Sequence, residues 1–276
     1  METLRTAYDA LRTRRMRSAL TMLGILIGIA AVMLTVGLGQ GAQKQVTDQI
    51  NRLGSNLLIV SPGSSTSLSG IRGGRGSATT LTMDDATLLA DPTVAPDIGA
   101  VAPVSQSSLS LVAGSSTWSS TVVGTTPAWP DVRARTVAVG RFFTTAEVTA
   151  ESPVAVIGQT TATQLLGGTD VVGRTISVAG QNVTVIGLLN SEGSTVGGDQ
   201  DDLVVVPQTT FANRMSTSTN PRSVSTIYIS ARDQASLTAA YQETTNALLN
   251  AHGVTATSAD FTVSSQQSID DTATST

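Results

Sequence analysis

Twenty consecutive residues without a charge, Ala19–Leu38 (ALTMLGILIGIAAVMLTVGL), constrain this chain more than any other feature. A helix needs about twenty apolar residues to cross a bilayer, so the stretch predicts a transmembrane helix over 19–38. Before it stand Arg5, Arg12, Arg14, Arg15 and Arg17, opposed only by Glu2 and Asp9. Basic flanks stay on the cytoplasmic side, which puts residues 1–18 inside and residues 39–276 outside. The main rival is a secretory signal peptide, whose apolar core is shorter, about 7–15 residues. The following GQGAQ is a poor cleavage site, so an uncleaved anchor is the better reading.

Charge divides the chain in the same sense. Beyond residue 38, eighteen acidic side chains face eleven basic ones, within a total net charge of −4. A negative, Ser/Thr-rich exterior lacks the basic face that nucleic acid requires; the N-terminal arginines suit the anionic inner leaflet instead. No cysteine is present, which excludes disulfides, thiol catalysis and cysteine-based metal sites. Lys44 is the single lysine, and no Gly-Lys-Ser/Thr phosphate loop exists. Residues 39–276 suffice for one large or two small domains.

Leu4, Ala7, Tyr8 and Leu11 recur at helical spacing, so residues 1–18 read as a short amphipathic cytoplasmic segment. Ala42, Val46, Ile50 and Leu53 form a narrow stripe that continues the helix out of the bilayer as a stalk over 39–53. Glycines 37, 39 and 41 superficially resemble a dinucleotide loop, but no strand precedes them. Asn56–Ser61 is a short buried strand ended by Pro62-Gly63, and Ser64–Thr80 is a Gly/Ser/Thr-rich loop. Thr82 and Asp85 predict a capping box for a helix over Met83–Ala90, and Thr144 with Glu147 predicts another. Strands follow at Ile98–Val104, Leu109–Val112, Thr117–Gly124, Val154–Ile157, Thr175–Val178, Val183–Leu188 and Leu203–Val206, with a short helix through Leu165-Leu166. A last unit has a strand Ile227–Ser230, a helix capped by Asp233 and ended by Gly253, and a strand Asp260–Ser264. It resembles the strand–helix–strand unit near 56–104. The expected fold class is therefore α+β: a split α/β domain, 54–117 and 224–270, carrying an inserted β-rich part, 118–223.

Candidate chemistry is sparse. His252, the single histidine, falls at a helix end where positive charge suits the dipole; no nucleophile–base pair or G-x-S-x-G elbow accompanies it. Asp199, Asp201 and Asp202 could hold Ca²⁺, but their spacing lacks the D-x-D-x-D-G loop, and a solvated turn fits better. Trp118, Trp129, Phe142 and Phe143 read as core, although a cleft between parts would be lined similarly. Arg133, Arg135 and Arg141 read as surface charges, and Arg72 and Arg75 as solvated loop charges that could meet an anion. No catalytic, cofactor or metal residue is assigned, and the chain reads as no enzyme.

Several blocks, taken in order, are similar to one family. RSALTMLGILIGIAAV (17–32), LGSNLLIVSPG (53–63), LTMDDA (81–86), VVGTTPAW (122–129), GRFFTTAEV (140–148), VAVIGQTTATQLLG (154–167), VVGRTISVAGQNVTVIGLL (171–189) and LVVVP (203–207) resemble MacB/FtsX-type ABC transporter permeases. The resemblance implies a first membrane helix, a stalk, and a porter-like α/β part interrupted by a β-rich part. It further implies an ABC ATPase partner on the cytoplasmic side, a homo- or heterodimer with another permease, a bacterial cell membrane location and no bound cofactor. Three more membrane helices would follow the outer domain, and any ATPase would be a separate chain. The alternative is a free-standing anchored binding or scaffold module without an ATPase.

Overall fold

The computed structural model describes residues 20, 22–35, 56–63, 80–195, 198–216 and 220–265. By its contacts the chain divides into Met1–Arg52 and Leu53–Thr276. In the first unit, residues 22–35 form a helix, α1, whose side chains are all exposed, Leu26 at 66 % and Met33 at 72 %. At about 1.5 Å per residue α1 is about 21 Å long. Among the described residues no helix is long and apolar enough to cross a membrane. Residues 19, 21 and 36–38 of the expected span, the segment 1–18, the stalk 39–53, the loop residues 64–79 with Arg72 and Arg75, and the tail 266–276 lie outside the described residues.

In the second unit the strands are β1 (Leu57–Pro62), β2 (Ile98–Ala113), β3 (Ser116–Thr125), β4 (Val137–Gly140), β5 (Val154–Ile157), β6 (Thr175–Val178), β7 (Gln181–Leu189), the short pair β8 (Ser194–Thr195) and β9 (Gly198–Asp199), β10 (Leu203–Pro207), β11 (Thr226–Ala231) and β12 (Phe261–Ser265). The helices are α2 (Met83–Leu89), α3 (Trp129–Val132), α4 (Thr145–Thr149), α5 (Gln159–Leu166), α6 (Gln208–Arg214) and α7 (Leu237–His252). Apart from β8 and β9, the strands join in the order β12-β1-β11-β2-β3-β10-β5-β7-β4, and β6 bridges β2 and β7.

The 16-residue β2 serves two environments. Its first half pairs with β11, from Ile98↔Ala231 to Val104↔Thr226. Its second half pairs with β3, from Ser105↔Gly124 to Ala113↔Ser116. Because β6 bonds to β2 at Leu111↔Val178 and to β7 along its length, the strands β2-β3-β10-β5-β7-β6 close into a barrel. Closure removes free edges that would otherwise invite pairing with other chains.

Alternation along the strands builds three cores. Leu58, Val60, Ile227 and Ile229 face α2 and α7, meeting Leu89 and Leu248. Inside the barrel lie Leu111, Val122, Ile157, Ile176, Val185 and Val204, joined by Leu165 of α5 and Phe211 of α6. Between them, the other face of the open strands (Leu57, Ala102, Val104) meets the outer wall of the barrel (Val123, Val156, Leu189, Val205) with Trp129, Val132 and Phe143. This explains LVVVP. Val204 and Val206 point into the barrel while Leu203 and Val205 point into the middle core, so a continuous apolar run is buried on both faces.

Local signals act where the chain spells them. Thr82–Asp85 and Thr144–Glu147 both form reciprocal capping boxes. Gly253 closes α7 in the left-handed region at φ +64, a conformation glycine adopts without a Cβ penalty. Gly124 permits a close approach: a Cβ there would overlap Phe211 and stand 2.9 Å from Gln208 Oε1.

Other expectations are corrected. Ile98–Val104 and Leu109–Val112 are one strand, because the polar SQSS between them stays in register with β3. Ser105 there is buried and satisfied, donating to the Ser223 carbonyl at 3.1 Å and accepting from Gln208 Nε2 at 2.9 Å. Asp233 does not cap α7 directly. Ser236 is the N-cap, and Asp233 accepts from its backbone N–H at 2.8 Å, one turn earlier.

Candidate functional site

The chain narrows α3 to a single turn, WPDV, and Ala134 just after it takes φ +51. That turn sets Trp129, Arg133 and Arg135 against the middle core. They line a cleft of about 270 Å³ together with Val104 and Gln106 of β2, Thr121 and Val123 of β3, Tyr228 of β11, and Asp199, Gln200, Asp202 and Leu203 around the start of β10. It lies where the outer wall of the barrel meets the open strands.

Three arrangements hold its walls. First, Arg135 is not a surface charge: it is 5 % exposed. It pairs with Glu192 at 3.0 Å and Asp201 at 3.6 Å, and both terminal nitrogens donate to the Gln200 carbonyl at 3.2 Å. Second, the Asp cluster is a solvated turn only in part: Asp199 is exposed and Asp202 half-buried, but Asp201 is neither. Asp201 is buried and accepts from the Ser191 hydroxyl and from the N–H groups of Glu192 and Gly193, both at 2.9 Å. Burial pushes its carboxyl up, but those donors and the Arg135 charge outweigh it and leave the pKa lowered. Asp199 accepts from Thr160 at 2.7 Å and from the Asp201 N–H at 2.8 Å. Asp202 Oδ1 accepts from Trp118 Nε1 at 2.9 Å and Thr161 Oγ1 at 3.0 Å. Each carboxylate thus serves different donors, and among the described residues no group of three His, Asp or Glu side chains could hold a metal ion. Third, the Arg133 guanidinium lies 4.7 Å from the centre of the Tyr228 ring, a cation–π distance.

The aromatic residues divide. Trp129 and Phe143 are buried in the middle core, with Phe142 stacked on both at 6.2 and 4.2 Å. Trp129 also lines the cleft, and Trp118 reaches it through Asp202. Arg141 stays exposed and makes two bonds to Glu147, at 2.7 and 2.8 Å. The bond from Arg141 is the main reason the Glu147 carboxyl falls to about 2.

His252 lies elsewhere, at the last residue of α7. Its Nδ1 meets Asp260 Oδ1 at 2.8 Å and its Nε2 meets Asp85 Oδ1 at 3.3 Å, so it ties α7 to the cap of α2 and the entry to β12. Burial disfavours the charged ring, yet the bond to Asp260 and the two carboxylates prevail and raise its pKa above 6.5. Tyr228, Gln106 and Thr121 carry no sequence signal as cleft residues. Only the register of β2, β3 and β11 brings them there.

A model of the MacB-like periplasmic core domain matches residues 18–247. The chain belongs to that family. Macrolide export ATP-binding/permease protein MacB of Azoarcus is 35 % identical over 277 residues, all of this chain and 40 % of that relative. The protein of the same name from Marinobacter nauticus is 32 % identical across 98 % of this chain and 40 % of its own length. The chain thus spans less than half of these curated relatives. In fold it is similar to the periplasmic region of MacB from Actinobacillus actinomycetemcomitans, with TM-score 0.66 and 21 % identity over 82 % of this chain and 96 % of that one. It is also similar to the extracellular domain of the transporter YknZ from Gram-positive bacteria, with TM-score 0.60 and 19 % identity over 76 % of this chain and all of that one. The family resemblance drawn from the motifs holds, and the described fold is that of an extracytoplasmic domain of an ABC transporter permease.

Proposed function

We propose that this chain is a permease-type membrane subunit, or the N-terminal portion of one, that couples a partner ATPase to movement of an extracytoplasmic domain for export or envelope transport. Residues 19–38 span the bacterial cell membrane with residues 1–18 in the cytoplasm, and 39–53 form a stalk helix. The extracytoplasmic part consists of a porter-like portion, 54–117 and 224–270, and a β-rich portion, 118–223, which share the second half of β2. The subunit acts beside a copy of itself or another permease, and hydrolysis belongs to the ATPase.

One observation carries this reading. β1 and β12 are antiparallel neighbours, with Leu58 opposite Ser265. The chain therefore enters and leaves the folded unit at the same end of adjacent strands. A domain held at that end can be pushed from one side while its barrel, at the far end of β2, stays free to meet substrate or partner. Gentle solubilisation from native membranes, followed by intact-mass measurement and identification of copurifying chains, tests it. Recovery with a Walker-type ATPase is expected. Recovery alone, without an ATPase, would leave an anchored binding module.

A further inference from the structure

The cleft between barrel and open strands holds opposed charges in fixed positions. Arg133 makes no ion pair among the described residues and is held over the Tyr228 ring. Arg135 is neutralised by Glu192 and Asp201, yet its Nε is a buried donor with no acceptor among the described residues. Asp202 also lines the cleft, and its Oδ1 is held by Trp118 and Thr161. Asp199 stands exposed beside it. Trp129 and Tyr228 supply apolar surface between them.

An anion alone would face Asp199 and Asp202, and a cation alone would face Arg133. Neither is matched, whereas a molecule carrying both charges is. The volume of about 270 Å³ lies just under the range of drug-sized sites, about 300–1,000 Å³, and so suits a small ligand. We propose that this cleft binds a zwitterionic ligand of dipeptide size, with its carboxylate at Arg133, its ammonium at Asp202 and Asp199, and an apolar side chain against Trp129 and Tyr228. Anchors pre-positioned by their own contacts lose little freedom on binding, which favours recognition by a small molecule. Because the cleft is built from β2, β3, β11 and the start of β10, occupancy would brace the barrel against the open strands. The inference does not depend on the transport reading.

Trp129 lines the cleft and Trp118 is bonded to the cleft residue Asp202, so intrinsic fluorescence reports on it. The full chain in detergent micelles is titrated with Ala-Phe, with N-acetyl-Ala-Phe and with Ala-Phe amide. Ala-Phe is expected to give a saturable change, weakened at least about tenfold by blocking either terminus, as losing a charged hydrogen bond implies. Arg133→Gln, at a half-buried position, should fold normally by circular dichroism and respond equally to the free and amidated peptides. No saturable change up to about 10 mM would overturn the proposal. So would equal responses to all three peptides, or dependence on one terminus alone.

Discussion

Replacing Arg135 with Met removes a buried cation that lines the cleft while keeping most of the side-chain volume. The structure sets the size of the effect. Two carboxylates, one of them on a side chain only 4 % exposed, lose their counter-charge, and the Gln200 carbonyl loses two donors. Breaking a buried ion pair from one side costs about 3–5 kcal/mol. Asp201 keeps the Ser191 hydroxyl and two backbone N–H groups, and Glu192, at 24 % exposure, can regain water. The lower end, about 3 kcal/mol, is therefore expected. Urea unfolding of the full chain in micelles, followed by far-UV circular dichroism, measures it as a shift in midpoint at constant slope. A cycle with Asp201→Asn should show a coupling of about 1–3 kcal/mol. A single-variant cost under about 1 kcal/mol, as for exposed pairs, would refute the reasoning; so would additivity in the cycle.

Further predictions follow from the same contacts. The raised pKa of His252 means that its contribution to stability is present below about pH 6.5 and fades as pH rises through the higher folded value. A ¹H–¹⁵N titration of the single imidazole should place it above 6.5, and His252→Gln should remove the corresponding loss of Tm on raising pH; a folded value below 6.5 would contradict this. Glu147, lowered from 4.5 to about 2, contributes stability above pH 4.5 that is lost as pH falls toward 2. Carboxyl ¹³C shifts should report its low pKa, and Arg141→Ala should return it toward 4.5. Gly124→Ala forces a methyl into Phe211 and should cost about 1–3 kcal/mol by the usual penalty of overpacking; a neutral result in thermal unfolding would show that α6 can shift freely.

How much of this was legible in the sequence depended on whether the signal was local. The capping boxes at Thr82 and Thr144, the stop at Gly253, and short strands such as Val154–Ile157 follow from residues within a few positions of each other, and the structure has them. The helices α3 and α6 carried no such signal. WPDV is a single turn with no side-chain cap, and QTTFANR begins directly at Pro207. Arg135 looked like a surface charge because its partners, Glu192 and Asp201, lie far along the chain and meet it only after β10 and the 191–201 segment are placed. The same holds for Asp202, whose hydrogen-bond partners Trp118 and Thr161 are likewise distant in the chain. Barrel closure was invisible for a related reason. It rests on β6 bonding to the distant β2, and neither strand's alternation names its neighbour.

The most direct test of the central claim is whether nucleotide moves the outer domain. The chain has no cysteine, so a spin label on Val139→Cys, at a site 52 % exposed on β4, marks each copy cleanly within the complex isolated from native membranes. Dipolar distances between copies would be compared with ATP trapped and with ADP. The account predicts two distinct distance distributions that exchange with nucleotide. Identical distributions in both states, or no dipolar coupling between copies, would contradict it.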